Sequence, residues 1–291
     1  MRKSLVALSV LAASAVPAVN AADYSDDIHK NDYSWSQFNL MYAFDELPGE
    51  SSHDYLEMEF GGRSGIFDLY GYVDVFNLSN SSSSDKDGAE KIFMKFAPRM
   101  SLDAVTGKDL SFGPVQELYL ATLFQWGGNA GNTGVITDPE SGKPILGEDG
   151  KVQYGASQGV NQAFVGIGSD VMVPWLGKVG LNLYSLYDLN EKDWNGYQIS
   201  TNWFKPFHFF DNGSFISYQG YIDYQFGMNN DVPGLTTSNG GAMFNGIYWH
   251  SDRYAVGYGL KLYKDVYGLK DGGFAGKTSG AGHYVSVTYK F

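Results

Sequence analysis

The last nine residues, His283-Tyr-Val-Ser-Val-Thr-Tyr-Lys-Phe291, alternate strictly along the chain. His283, Val285, Val287, Tyr289 and Phe291 fall on one face of an extended segment, and Tyr284, Ser286, Thr288 and Lys290 on the other. A period of two with one apolar and one polar face describes a strand half in contact with something apolar. Two folds meet that condition. One is a soluble sandwich, whose inner faces pack together. The other is a transmembrane barrel, apolar toward lipid and polar toward the lumen.

The N-terminus narrows the choice. Arg2 and Lys3 precede an apolar, small-residue run from Leu5 to Val19, and Val19-Asn20-Ala21 offers the small residues a signal peptidase reads. Residues 1–21 therefore read as a secretory signal, too short to span a membrane. No later run reaches the roughly 18–20 apolar residues of a transmembrane helix. Loss of Arg2 and Lys3, with no acid, takes the formal charge from −12 to about −14, which argues against binding nucleic acid polymers by phosphate neutralisation. Without a cysteine there is no disulfide framework, thiol chemistry or Cys-based metal site. The slightly negative mean hydropathy suits a barrel, because only alternate residues face lipid.

Residues 22–33 are polar and acidic without a period, and read as a short periplasmic leader. From residue 34 to 291, alternating segments recur about twelve times, the even number a bacterial barrel requires. Phe67, Leu69, Val73 and Val75, for example, alternate with Asp68, Tyr70, Tyr72 and Asp74. Only Met243–Trp249 is ambiguous, with aromatics on both faces. The connections give an independent check. Odd ones (Asp45–His53, Asn77–Glu90, Trp126–Asn161, Asp188–Trp194, Gly227–Gly240, Val266–Gly282) are mostly longer than even ones (Gly61–Ile66, Asp103–Leu110, Val173–Lys178, Lys205–Gly213, His250–Arg253). Long outer loops and short periplasmic turns are the barrel rule, and a sandwich has no reason to follow it. The expected fold is an all-β transmembrane antiparallel barrel in a bacterial outer membrane. Trp126, Trp175, Trp194, Trp203 and Trp249 lie at or near predicted strand ends, as an interfacial aromatic girdle would.

Several segments resemble the Tsx/OmpK family of nucleoside-specific outer-membrane channels, most closely its OmpK branch. They are Phe67-Asp-Leu-Tyr-Gly-Tyr-Val-Asp74, Ala97-Pro-Arg-Met-Ser-Leu-Asp103, Asp109-Leu-Ser-Phe-Gly-Pro-Val-Gln-Glu-Leu-Tyr119 and Asp193-Trp-Asn-Gly-Tyr197. The resemblance implies a monomeric twelve-stranded barrel, passive nucleoside uptake, and outer loops able to serve as bacteriophage docking sites. The terminal strand, with Val287, Tyr289 and Phe291, resembles the signal by which such barrels are recognised by the assembly machinery. Two regions depart from the family. Phe44-Asp-Glu-Leu-Pro-Gly49 lacks the Arg-Phe-Gly-Pro stretch linked to substrate recognition, and the third loop, Gly127 to Gln158, matches no family motif.

A neutral nucleoside needs a π surface for its base and polar partners for its ribose. Base–aromatic stacking tolerates different bases; carboxylates accept from hydroxyls, while Lys and Arg donate to sugar or base oxygens. The inward faces place Glu57, Tyr70, Tyr72, Lys95, Glu117 and Tyr119 at middle levels. Arg99, Asp68 and Glu59 are expected nearer the periplasm, and Asp74 nearer the outside. Such a ladder gives the weak, repeated sites a channel needs; any one of these side chains also serves to fill and brace a small barrel.

Other motifs carry less. Gly155-Ala-Ser-Gln-Gly159 matches a nucleophile elbow but lacks the strand and helix that motif requires. Asp85-Lys-Asp-Gly88 lacks the full ligand spacing of a calcium loop. The five histidines are scattered, without an i,i+4 pair for zinc. His250-Ser-Asp252 reads as a surface turn. No cofactor is called for. The alternatives to a solute channel are a surface interaction protein with a closed or differently selective pore and, more remotely, an outer-membrane hydrolase.

Overall fold

The computed structural model describes residues 22–291 apart from 88, 129–131, 136, 139, 148–153 and 157–159. The predicted signal, residues 1–21, lies outside the described residues, as do parts of the third loop and of its elbow-like motif.

In chain order the strands are β1 (Tyr33–Glu46), β2 (Ser51–Ser64), β3 (Phe67–Phe76), β4 (Ile92–Phe96), β5 (Arg99–Ser101), β6 (Val115–Gly128), β7 (Asn132–Val135), β8 (Tyr154–Ala156), β9 (Asn161–Val173), β10 (Gly177–Asp188), β11 (Asp193–Phe209), β12 (Phe215–Phe226), β13 (Asn239–His250), β14 (Tyr254–Lys264) and β15 (Gly280–Lys290). β7 and β8 form a separate ribbon within the third loop. β4 and β5 together make one stave, interrupted at Ala97-Pro98, where proline has no N–H to give the ladder. The twelve staves pair antiparallel in sequence order, and β1 pairs with β15 to close the ring. In that seam Phe38 lies opposite Tyr289, Leu40 opposite Val287 and Tyr42 opposite Val285. Closure leaves none of the twelve staves with a free edge, the condition for crossing hydrocarbon. No described helix is long and apolar enough to cross.

Burial is inverted relative to a sandwich. Leu40, Ile167, Val256 and Val287 are 54%, 66%, 50% and 53% exposed, while Asn39, Ser286 and Thr288 are buried. Apolar side chains face out and polar ones face in, so the medium outside is lipid.

Three details differ from the sequence reading. Tyr33, placed in the leader, already pairs with Arg63 as the first residue of β1. β11 continues to Phe209 through a bulge at Pro206–His208, so the turn predicted from Lys205 begins later. Trp203 is therefore not a strand-end anchor. Its ring lies on Gly220 of β12, where a Cβ would come within 2.6 Å of it, and meets Tyr218 at 5.6 Å. Trp175, Trp194 and Trp249 are exposed. The ambiguous β13 resolves with Phe244 and Tyr248 inward. Their rings lie flat on β14 because Gly259 and Gly257 face them; a Cβ there would approach the rings to 2.2 and 2.1 Å. The Asp103–Leu110 connection holds a one-turn helix, α1 (Leu102–Thr106), capped by Ser101, whose Oγ accepts from Ala104 N.

Candidate functional site

At mid-height, β2 and β3 set Glu57 opposite Asp74 and Glu59 opposite Tyr72. Glu57 accepts from Asn39 Nδ2 at 2.6 Å; Glu59 accepts from Gln37 Nε2 at 2.6 Å and from the Tyr70 hydroxyl at 2.9 Å. Asp74 Oδ1 is buried without a hydrogen-bond partner. The lumen's ion pairs among the described residues lie elsewhere. Tyr72 sits between Tyr70 and Phe93, with ring centroids 6.2 and 6.1 Å away. Staves β12–β15 supply a second aromatic surface. Tyr221 and Phe244 stack at 5.8 Å, and the Lys261 ammonium lies over Tyr263 and Tyr284 at 5.2 and 5.7 Å.

Lys95 and Asp223 belong to staves with β6, β9, β10 and β11 between them, yet Nζ and Oδ2 are 2.8 Å apart. The pair is a strut across the lumen. Ser200 Oγ holds the other Asp223 oxygen at 2.6 Å. On the β6–β10 side, Ala121, Leu123, Phe164, Tyr184 and Leu186 pack into a core no more than 2% exposed. That side of the interior is filled by protein; on the opposite side Met41, Ala43, Tyr55 and Tyr284 form a smaller buried cluster against Phe244, and Glu57, Glu59, Tyr70 and Tyr72 are only half-buried.

The periplasmic end is a bonded network. Arg63 donates from Nη1 to Glu117 Oε2 at 2.9 Å and from Nη2 to the Tyr119 hydroxyl at 2.6 Å. Tyr119 in turn donates to Asp170 Oδ2 at 3.1 Å. Arg99 reaches Asp170 Oδ1 at 3.0 Å and Asp68 through Nε at 3.0 Å, and its guanidinium lies 4.0 Å over the Tyr119 ring. Lys178 Nζ adds a contact to Asp170 at 3.1 Å. Three cations thus face three carboxylates, and only Arg99 Nη1 is left buried without a partner.

The leader joins this network. Tyr24 is half-buried between exposed neighbours. Its hydroxyl donates to Glu117 Oε1 at 2.6 Å and accepts from Arg63 Nη1 at 2.7 Å. Burial and the Glu117 carboxylate push the phenol above its ordinary range, so it remains a donor. Asp32 Oδ1 accepts from Gly65 N at 2.7 Å, tying the leader to the first turn.

The expected middle set therefore divides. Glu57, Tyr70, Tyr72 and Lys95 share one level, and the register adds to it Glu59, expected nearer the periplasm, opposite Tyr72, and Asp74, expected nearer the outside, opposite Glu57. Glu117 and Tyr119 lie instead with Arg99 in the periplasmic network, and Tyr119 is wholly buried. Glu117 is only two residues from Val115, where β6 begins after the 102–114 turn, so it cannot reach mid-height. Arg63, Asp170, Lys261 and Tyr24 were not singled out from the sequence. Arg63 had a usable signal, since it continues the inward parity of Glu57 and Glu59; Tyr24, in a segment with no period, had none.

One arrangement bears on hydrolysis. Ser217 Oγ and His250 Nε2 are 2.8 Å apart. Ser217 is fully buried and also donates toward Gln219 Oε1 at 3.1 Å, while Phe215 stacks on the imidazole at 4.6 Å. A nucleophile needs access and a third group to orient its base; this serine is covered, and aromatic carbon packs on the base. No metal-holding cluster of His, Cys, Asp or Glu occurs among the described residues.

The family model described as nucleoside-specific channel-forming protein Tsx matches residues 30–291. Outer membrane protein OmpK of Vibrio parahaemolyticus is 70% identical over 292 residues, covering all of both chains. The nucleoside-specific channel-forming protein Tsx of Salmonella typhimurium is 27% identical over 315 residues, again covering all of both.

Proposed function

The chain belongs to the nucleoside-specific channel-forming Tsx family, a family of outer-membrane channels rather than enzymes, and from that membership we propose that it passes nucleosides down their gradient along the half-buried Glu57–Tyr72 face of its lumen. The observation that carries this reading is the adjacency of Tyr72 to three carboxylates without ion-pair partners among the described residues. The base stacks on Tyr72 or on the Phe244–Tyr221 surface. The ribose hydroxyls donate to Glu57, Glu59 or Asp74, and Lys95 and Lys261 donate to base or sugar oxygens. Each contact is weak enough to be left, which a conducting path requires. Arg99, Glu117 and Tyr119 serve this path from its periplasmic end.

Liposomes containing the purified protein test it. Adenosine and thymidine should enter faster than a hexose of similar size, and equal rates would refute a nucleoside preference.

The remaining expectations join the proposal. Residues 1–21 direct export, and Val287, Tyr289 and Phe291, which face outward, guide insertion by the assembly machinery. The barrel works as a monomer. The outer loops offer bacteriophage a docking surface; deleting residues 131–156 should abolish such binding while leaving solute flux intact.

A further inference from the structure

We infer that the Arg63–Glu117 pair is an exit subsite for solute hydroxyl groups, and that Tyr24 of the leader occupies it as a tethered stopper. The inference rests on the channel reading but not on nucleoside preference.

The geometry is that of a bound hydroxyl. A sugar hydroxyl has one hydrogen to donate and lone pairs to accept with. Tyr24 uses both, donating to Glu117 Oε1 at 2.6 Å and accepting from Arg63 Nη1 at 2.7 Å. The two receiving side chains come from β2 and β6, with the β3 and β4/β5 staves between them, so the pair reaches across the periplasmic end. Both are buried, and their own ion pair at 2.9 Å fixes the spacing of donor and acceptor. A permeating solute that bears hydroxyls meets this pair last.

The leader is built to place Tyr24 there and to let it go. Lys30 Nζ binds Asp23 at 2.6 Å and Asn31 Nδ2 donates to Asp23 O at 3.0 Å, folding residues 23–31 into a closed loop with Tyr24 next to its closure. His29 pairs with Asp32 at 2.8 Å, and Asp32 anchors the loop's end to Gly65. None of residues 22–32 pairs with a barrel strand. The leader is thus held mainly by one rim contact and by the Tyr24 hydroxyl. A solute hydroxyl arriving from above competes for the same two partners, displaces Tyr24 and leaves; the leader then recloses. Binding and gating are one exchange of hydrogen bonds, with no covalent bond made or broken.

The test is ionic current through the full mature protein in a planar bilayer, compared with Tyr24→Phe and with a deletion of residues 22–31 that keeps every strand. Heat-shifted gel mobility confirms folding of each. Tyr24→Phe keeps the ring and removes the hydroxyl. We expect the ratio of closed to open time to fall about ten-fold or more, the factor a hydrogen bond to a charged group carries, with the deletion matching or exceeding it. Unchanged gating in both variants would overturn the stopper. A change in the deletion alone would overturn the hydroxyl subsite. Loss of current in all three proteins would overturn the channel reading itself, a pattern distinct from either.

Discussion

At the periplasmic end of the lumen three cations meet three carboxylates; at mid-height Glu57, Glu59 and Asp74 meet none within ion-pair distance among the described residues. The residue types are alike and the physics differs. Arg63, Arg99 and Lys178 pair with Glu117, Asp68 and Asp170, with Tyr119 bridging. Such a network holds shape, because removing one member leaves an uncompensated buried charge. Among the described residues, Glu57 and Glu59 accept from the neutral amides of Asn39 and Gln37 and from Tyr70. They keep acceptor capacity for something that passes. Bracing dominates where charges are paired and binding where they are not, with the Arg63–Glu117 exit pair as the one overlap.

The largest effect should come from breaking the braced region. Arg99→Met leaves Asp170 and Asp68 short of a partner, and should cost about 3–5 kcal/mol of unfolding free energy, the usual penalty for halving a buried pair. Denaturant titration in detergent micelles reads it. Glu57→Gln removes a carboxylate that pairs with no cation, and its midpoint should stay close to wild type or rise. Equal losses would erase the distinction.

Next come the tyrosines. Tyr119→Ala should destabilise strongly, because its ring lies under Arg99 and its hydroxyl joins Arg63 to Asp170. Tyr72→Ala should leave stability nearly unchanged and weaken nucleoside binding about ten-fold, as expected for one lost base–aromatic stack. A reversed pattern would mean that the base stacks in the periplasmic network rather than at mid-height.

A smaller effect sharpens the charge argument. Glu57→Gln should lower the preference for cations over anions, measured as the reversal potential in a salt gradient. An unchanged potential would show that these carboxylates do not set the field in the pore.

The smallest concerns the leader. Asp32, hydrogen-bonded to His29, holds that imidazole above its ordinary value of 6.5. A raised histidine contributes its contact below the ordinary value and loses it as pH climbs through the folded one. Leader closures should therefore become slightly rarer as pH rises above 6.5. Both groups are solvent-exposed, so the change should be modest and should vanish in His29→Ala.

The fold was legible because barrel alternation is local. Any eight residues of β15 or β3 declare which side faces lipid, and loop lengths declare which end is which. Depth was less legible. Glu117 and Tyr119 have the right parity for the lumen, yet the height of a residue depends on where its stave begins, and the long 102–114 turn delays β6. Contacts across the lumen were illegible. Lys95 and Asp223 are 128 residues apart in sequence, and nothing local marks either as the other's partner. Tyr24 failed for another reason: a single anchoring hydroxyl imposes no period on the segment that carries it. The inward glycines Gly257 and Gly259 did hold a hint, since small residues in a row on one face invite large rings from the neighbouring stave.

The most direct test of the division between bracing and binding is the adenosine dependence of single-channel current in wild type and Tyr72→Ala, recorded side by side with a sugar control. The account predicts saturable block by adenosine in wild type, none by the sugar, and about ten-fold weaker block in the variant with the same open step. Identical block in both proteins, or current indifferent to adenosine in wild type, would contradict it.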